Sequence, residues 1–578
     1  MQYTLREQLN ILRASLVLER TSFEPVWSDC GRYILPKRPR FFVSESNRGE
    51  RKDEAIIDST ATLAHRTLRS GMMSGITSPA RPWFRLTTRD PQLAESSEVK
   101  NFLDQVTAIM RSIFLKSNFY NSLPIIYGDL GVFGTAALFI EESMDDVLIT
   151  QPFAIGSYYI STNEKLKVDV FHREFRMSVR NIITKFGFKE VQGKGEIQWD
   201  RFSSRIKEMY DRGDIEQYIT VCHTIMPNHE HNPLSKNVNN KKYISAYYEL
   251  GTGIKQSSNY LDSIDEDKYL SLSGYDLFPV LCPRWEVNGE DVYSTSWPGL
   301  DCLGDIKQLQ LGEKKILTAI NKIVDPPLKG SSSLRAQKVG ILPGDISYDD
   351  QGTLSPIYQI DSRIMELENK QNQVRHRIQK GFYEDLFLML DNLNDRQRTA
   401  TEIAERHEEK LLALGPVLEQ LNQDLLDPLI EITFSYMYKQ GKLPDIPEAL
   451  QGQDLKVEYI SIMAQAQKLA GLGSIDRFSQ YVYGLAQVYP DAILKINPDK
   501  MINHYAEITG IPNEILRTDD EVEMLRQQQQ QAQSQQMQAQ NLKDMTTGVK
   551  NLSASKLGEN SALDQLLLQS QAGQMVAQ

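Results

Sequence analysis

The chain has 578 residues, 40% of them apolar and 24% charged, with a formal net charge of −12. Such a length predicts several packed units with enough core to need no metal or disulfide staple. The acidic balance speaks against tight phosphate binding through a basic surface, and no stretch approaches the ~18 apolar residues of a membrane-spanning helix.

In chain order, residues 1–120 read as mainly helical, opening with Leu5, Leu9, Leu12 and Leu16 at helical spacing. The opening MQYTLREQLN lacks the apolar run of a secretory leader. Within this region SGMMSGITSPARPWFRL (70–86) carries Pro79 and Pro82, which favour a rigid extended segment anchored by Trp83 and Phe84. From about 121 to 300 the pattern turns mixed. LFIEE, VLIT, YYIST and VDVFHREF read as strands, SVRNIITKFG as a helix, and FPVLCPRWEVNGEDVYSTSWPG (278–299) as strand-like with a turn at Asn288-Gly289.

Residues 304–324 form a helix candidate stopped by Asp325-Pro326-Pro327, and a second runs from near Asp361 to about Leu388. At about 1.5 Å per residue these span roughly 30 and 40 Å, so they can pair as legs around the short β-like insertion between them. LMLDNLNDRQR (388–398) interrupts the pattern: Asp391, Asn392, Asn394 and Asp395 are expected to break the helix. A long one-faced helix over 399–440 follows, with Thr399 and Glu402 as a capping box and Gly441 and Pro444 as its stop. Pro416 and Pro428 should kink or split it. LKVEYI (455–460) reads as a strand, and 464–526 as short helices, one capped by Asn497 with Pro498 in its first turn. The Gln-rich stretch after Glu521 is helix-permissive without an apolar stripe, and the end of the chain reads as a weakly ordered tail.

The search for chemistry finds little. Cys30, Cys222, Cys282 and Cys302 are far apart and form no CxxC pair, so they read as reduced thiols of a cytoplasmic compartment. Cys222, His223, His229 and His231 cluster in sequence, but their spacing fits no zinc pattern and Asn228, Asn232 and Pro233 mark a polar turn. His407-Glu408 begins like HExxH, yet Leu411 stands where the second His must be. Gly193-x-Gly195 and Gly251-x-Gly253 both have Gln at the sixth position of a dinucleotide loop, and neither GxxxxGK[ST] nor GxSxG occurs. No metal, cofactor or catalytic residue is expected, and the chain reads as a non-enzyme.

Four segments in one order resemble the head-to-tail connector family of podovirus portals: SGMMSGITSPARPWFRL; FPVLCPRWEV with VYSTSWPG; the Pro326-Pro327 break; and RTATEIAERHEEKLLALGPVLEQL (398–421). The likeness spans roughly residues 5–470. It implies an α+β, multi-segment portal fold, with about twelve copies ringed around a channel at one capsid vertex. In that reading 1–303 and 399–470 form the wing, 304–324 and 361–387 the stem, and 325–360 the clip. Residues 388–398 form the tunnel loop, 471–526 the crown and 527–578 a Gln-rich tail.

The resemblance further implies a conduit for packaging and ejecting double-stranded DNA, docked first by the terminase large subunit and then by tail adaptor proteins. Major capsid and scaffolding proteins are its other implied partners, in the host cytoplasm during assembly and in the virion afterwards, without a membrane. Asp391, Asn392, Asn394, Asp395, Arg396 and Arg398 are the expected channel residues, and Lys329, Arg335 and Lys338 the expected contacts of the clip. Another ring-forming head–tail component is the alternative reading.

Overall fold

The computed structural model describes residues 4–461, apart from short gaps and three longer ones at 252–267, 330–354 and 393–413, and short stretches between 478 and 534. The chain divides into a unit of Met1–Tyr481 and a second of Val482–Gln578. In the second, Asn497 caps a helical turn: its Oδ1 accepts the Lys500 N–H at 3.2 Å. Residues 524–532 are helical and exposed throughout, in keeping with the missing apolar stripe.

The first unit begins with α1 (Leu5–Thr21), which Thr4 and Glu7 start with a reciprocal capping box. α2 (Glu24–Ile34) follows, then α3 (Thr60–Ile76). The expected extended segment therefore starts later than its glycines suggest, since Gly71 and Gly75 lie inside α3. Gly71 is there for contact, not for bending: a Cβ on it would stand 2.2 Å from the Phe387 ring. β1 (Phe84–Thr88) continues from Trp83, and both Trp83 and Phe84 are fully buried.

α4 (Ser97–Lys116) and α5 (Phe119–Phe133) lead into the sheets. β2 (Ala137–Ser143) and β3 (Val147–Phe153) form a hairpin, followed by β4 (Tyr158–Thr162) and β5 (Val168–Ser178). A small satellite holds α6 (Val179–Phe186), β6 (Phe188–Val191), β7 (Lys194–Ile197) and α7 (Ser204–Asp211). β8 (Tyr218–Pro227), β9 (Tyr243–Glu249) and β10 (Ser271–Tyr275) complete an antiparallel five-stranded sheet of order β10-β9-β8-β5-β4. β11 (Val280–Leu281) joins β2 and β3 in a three-stranded sheet. The two sheets meet through Phe153 against Phe171, ring centroids 5.4 Å apart, and Phe139 against His223 at 6.0 Å. The strand character expected over 278–299 shrinks to β11 and one isolated bridge at Arg284, while Gly289 does turn with φ +63°.

α1 lies across the five-stranded sheet, held by three arginines seven residues apart. Arg6 donates to the Glu249 carbonyl (2.7 Å), Arg13 to Glu174 Oε1 (2.6 Å), and Arg20 to the Tyr158 carbonyl (2.8 Å). Arg6 also stacks on Tyr248 and Arg20 on Tyr159, 3.8 and 3.6 Å from the ring centroids. Seven residues are nearly two full turns, so the three side chains share one face and reach β9, β5 and β4 in turn.

Past residue 300 come α8 (Leu303–Val324), β12 (Leu328–Lys329), β13 (Ser355–Pro356), α9 (Ile364–Gly381) and α10 (Glu384–Asn392). The single helix expected from Asp361 to Leu388 is thus two helices. They part at Tyr383, whose φ of +55° places a bulky residue in the left-handed region. Burial of Phe382, Leu386 and Phe387 holds this turn against its backbone cost of about 1–2 kcal/mol.

Helix resumes over 414–421, passes through a π turn at Asn422–Leu426 and continues as α11 (Asp427–Lys439). The predicted disturbance at Pro428 takes this form. A proline has no N–H to give, and the turn before it widens until Asp427 N–H reaches the Asn422 carbonyl. The widened turn aims Asp424 at Arg284, giving a buried ion pair of 3.0 Å with side chains only 2% and 8% exposed. α11 ends as expected at Gly441, where Gly441 N–H meets the Tyr438 carbonyl and Lys442 N–H the Met437 carbonyl. β14 (Leu455–Tyr459) pairs antiparallel with β1. The Thr399–Glu402 capping box lies outside the described residues.

Candidate functional site: the paired helices and their tip

α8 and α9 run antiparallel, as expected of two legs around an insertion. Pro326 and Pro327 stop α8, and β12 and β13 then pair Leu328 with Pro356 and Lys329 with Ser355. The two helices come close at Gly312, where a Cβ would fall 1.7 Å from Gln371 Nε2, so a larger residue would displace the Gln371 side chain.

The lower part of the pair is rooted in the body by polar contacts. Gln310 is nearly buried: its Oε1 accepts the N–H groups of Ile57 (2.6 Å) and Asp58 (2.8 Å), and its Nε2 donates to the Asp58 carbonyl (2.8 Å). One side-chain amide thus serves the 57–58 backbone as a neighbouring strand would. Arg375 on α9 donates to Asp58 Oδ2 (2.9 Å) and to Glu313 Oε1 on α8 (2.5 Å). Burial works to raise the Asp58 carboxyl, but its bonds from Thr60 and Arg375 outweigh it and hold it below the usual range. On the other side Arg377 meets Asp305 at 2.6 Å, and Lys307 meets Asp29 at 2.6 Å.

Charge is unevenly placed. α8 carries Lys307, Lys314, Lys315 and Lys322 against Asp305 and Glu313; α9 carries Lys370, Arg375, Arg377 and Lys380 against Glu366 and Glu368. Eight basic residues less four acidic ones leave this pair at +4 within a chain of −12.

Of the expected site residues, Lys329 lies in β12 at the tip ladder. Arg335 and Lys338 lie outside the described residues, as do Asn394, Asp395, Arg396 and Arg398. Asp391 and Asn392 are themselves helical, as the last two residues of α10, so this helix runs past the end expected near Leu388. The buried Leu386 and Phe387 carry that helix past Leu388, and this packing overrides the local preference of Asp and Asn for turns.

The sequence cluster around Cys222 comes apart. Cys222 packs towards α1 with Leu9 and Tyr248, whereas His223 stacks on Tyr247 at 3.8 Å on the other face of the sheet. His229 and His231 are exposed in the following loop. A different group forms instead, with His172, Glu174 and Cys222 offering ligand atoms within 4.8 Å of one another. Sequence reasoning missed it by seeking neighbours in the chain, although the H-x-E spacing on a strand puts His172 and Glu174 on one face.

This trio is poorly suited to a cation. Arg13 occupies Glu174, and Arg6 stands over the neighbouring Tyr248. Burial pushes the Cys222 thiol up to about 12, away from the thiolate a metal needs. His172 Nδ1 instead shares a hydrogen bond with Thr224 Oγ1 at 2.7 Å, and Thr224 lies 3.3 Å from the Tyr248 hydroxyl. It is a core polar network. The four cysteines are free and buried.

Residues 6–516 match the family described as bacteriophage head to tail connecting protein. The chain belongs to that family. It is 40% identical to the portal protein of Salmonella phage epsilon15, over 97% of this chain and 98% of that one. It is 39% identical to the probable portal protein of Bordetella phage BPP-1, over 92% and 93% respectively. A solved structure of the virion of a native gene transfer agent particle aligns over 78% of this chain and 90% of its own at 8% identity, with a TM-score of 0.30, too distant to compare folds.

The connector's function is that of a portal: a structural component of the virion at the capsid vertex, associated with capsid and tail components and forming oligomers. Among the described residues no helix is long and apolar enough to cross a membrane.

Proposed function

We propose that about twelve copies of this connector close into a ring around a DNA channel, through which the genome is packaged and later ejected. The observation that supports this most directly is the antiparallel pair α8–α9 with the β12–β13 ladder at its tip, a stalk-and-tip element projecting from a self-contained body. In this reading α8 and α9 are the stem, residues 325–360 the clip, and 388–398 the tunnel loop, with the wing on either side in sequence and the crown at 471–526.

The clip is where the terminase large subunit docks, followed by tail adaptor proteins; Lys329, Arg335 and Lys338 are the proposed contacts. Capsid and scaffolding proteins meet the ring in the host cytoplasm. Energy for DNA movement comes from the separate terminase ATPase, because this chain lacks a phosphate-cradling loop with its lysine. A ring with scattered basic residues offers phosphates weak, salt-screened contacts that slide. Arg396 and Arg398, beside Asp391, Asn392, Asn394 and Asp395, are the proposed brief contacts in the channel.

Electron micrographs of the purified protein test the reading. Rings with a stalk and axial hole are expected, whereas a small globular particle across protein concentrations would refute it. Charge reversal at Lys329, Arg335 and Lys338 should weaken terminase docking and leave rings intact. Deleting Asn392 to Asp395 should spare ring formation and impair DNA retention.

A further inference from the structure

The outer half of the α8–α9 pair has two bare flanks. Leu311, Leu317, Ile320 and Val324 on α8 are 55%, 50%, 38% and 78% exposed, and Met365 and Leu367 on α9 are 75% and 47% exposed. Isolated apolar side chains are ordinary on a surface; a run of them along two neighbouring helices is not.

Helical spacing sorts them. Glu313, Leu317, Ile320 and Val324 recur at steps of four, three and four and make one stripe. Leu311, Lys315 and Lys322 make a second, on the far side of the buried Ile316. On α9, Met365, Glu368 and Arg375 share a stripe, and the Arg375–Glu313 bond puts it on the same flank as Leu317 and Ile320. Lys370 and Arg377 are seven residues apart, and Arg377 lies two residues beyond Arg375, about 200° around the helix at 3.6 residues per turn. They mark the opposite flank, with Lys315.

The two flanks are complementary. One joins Leu317, Ile320 and Val324 to Glu368, and the other joins Leu311 to Lys315 and Lys370. None of these three charged groups has an ion pair among the described residues. Their heights match as well: Gly312 stands opposite Gln371, so in antiparallel helices Lys315 is level with Glu368.

We propose that the Leu317–Ile320–Glu368 flank of one copy docks on the Leu311–Lys315–Lys370 flank of the next. Unlike faces of identical chains then meet in a heterologous contact that rotation can close. The apolar stripe meeting Leu311 supplies adhesion, and the charges at one height set the register and exclude pairing of like flanks. This rests on the ring-forming reading and adds which surfaces meet and which side chains align them.

Charge reversal tests it by native mass measurement of the full chain across protein concentration at about 50 mM salt, where screening is weak. Glu368→Lys alone, or Lys315→Glu with Lys370→Glu, should raise the concentration for half-assembly about tenfold. All three reversals together should return it to within about twofold of the unaltered chain. The sites are exposed, so under non-assembling conditions the thermal unfolding of each variant should match the parent and exclude misfolding as the cause.

Unchanged assembly of the single-flank variants, or a combined variant worse than either, would overturn the assignment while leaving the ring itself intact. Rings that form normally but lose another virion component would also overturn it and give the flank to that partner. An unaltered chain that stays monomeric throughout would overturn the ring reading and this contact together.

Discussion

The body and the outer half of the paired helices solve the same problem differently. In the body, side chains as large as Trp27, Trp83, Tyr158 and Tyr293 are almost wholly removed from water by residues of the same chain. In α8, Ile306 and Leu309 are equally buried near the body, yet Leu317, Ile320 and Val324, about two to four turns farther out, are not. The amphipathic pattern is continuous; what changes is the supply of partners. A core that one chain completes carries folding stability, whereas a stripe it leaves bare carries stability only after association.

The largest effect expected of a change in the body is at Asp424. Asp424→Ala leaves the Arg284 guanidinium buried without its carboxylate and should cost about 4 kcal/mol. Chemical denaturation of the chain under non-assembling conditions measures this, and a loss below about 1 kcal/mol would show that the pair is not structurally needed.

At the junction of the two regions, Gln310→Ala removes three hydrogen bonds and strands the backbone of Ile57 and Asp58. About 2 kcal/mol should be lost. Hydrogen exchange should quicken first around residues 55–60, marking this amide as the link between α8 and the body.

Acid should sharpen the contrast, because the body holds the perturbed groups. Burial lowers His65 from 6.5 to about 4 in the folded chain. The unfolded chain therefore takes up this proton first, and stability should fall as pH drops from about 6.5 towards 4. Glu174 adds to the trend at lower pH. Burial works to raise it, but the nearby His172 and the hydrogen bond from Arg13 hold it at about 2 against an ordinary 4.5. Its contribution is complete above 4.5 and is lost on the way down to 2. Thermal unfolding across this range, compared with His65→Gln, should show a shallower slope for the variant between pH 6.5 and 4.

The smallest effect on the isolated subunit belongs to the outer helices. Leu317→Gln with Ile320→Gln should change subunit stability by no more than about 0.5 kcal/mol, while reducing assembly. A large loss in the monomer would mean that these residues already have partners within the chain.

Local signals in the sequence were legible where local physics decides the outcome. The two-proline stop after Val324, the Gly441 helix end, the Asn497 cap and most strands over 137–178 are all read from residues within a few positions of one another. Pro428 announced a disturbance but not its kind, because whether a helix kinks or widens depends on what Asp424 can reach. The break at Tyr383 was hidden, since nothing in GFYEDLF requires a left-handed residue until Phe382 and Phe387 are buried on either side.

The Arg6, Arg13, Arg20 series was visible as a period of seven and passed over in favour of the leucines beside it. For the site, the paired helices and the β insertion were legible as pattern. The fate of Asp391 and Asn392 was not, because it depends on packing against α3.

The pairing of β1 with β14 has a consequence for synthesis. Arg85 and Glu458 form an ion pair at 2.6 Å although 373 residues separate them, and the Ile460 N–H reaches back to the Trp83 carbonyl. At 5–20 residues per second, β1 waits roughly 20 to 75 s on the ribosome for its partner. α8 and α9 are both made within that interval, so their exposed apolar side chains emerge before the body is sealed. Polysomes carrying several such chains would bring these unfinished helix pairs together, and a holding chaperone acting in that window should raise the yield of correctly assembled oligomers.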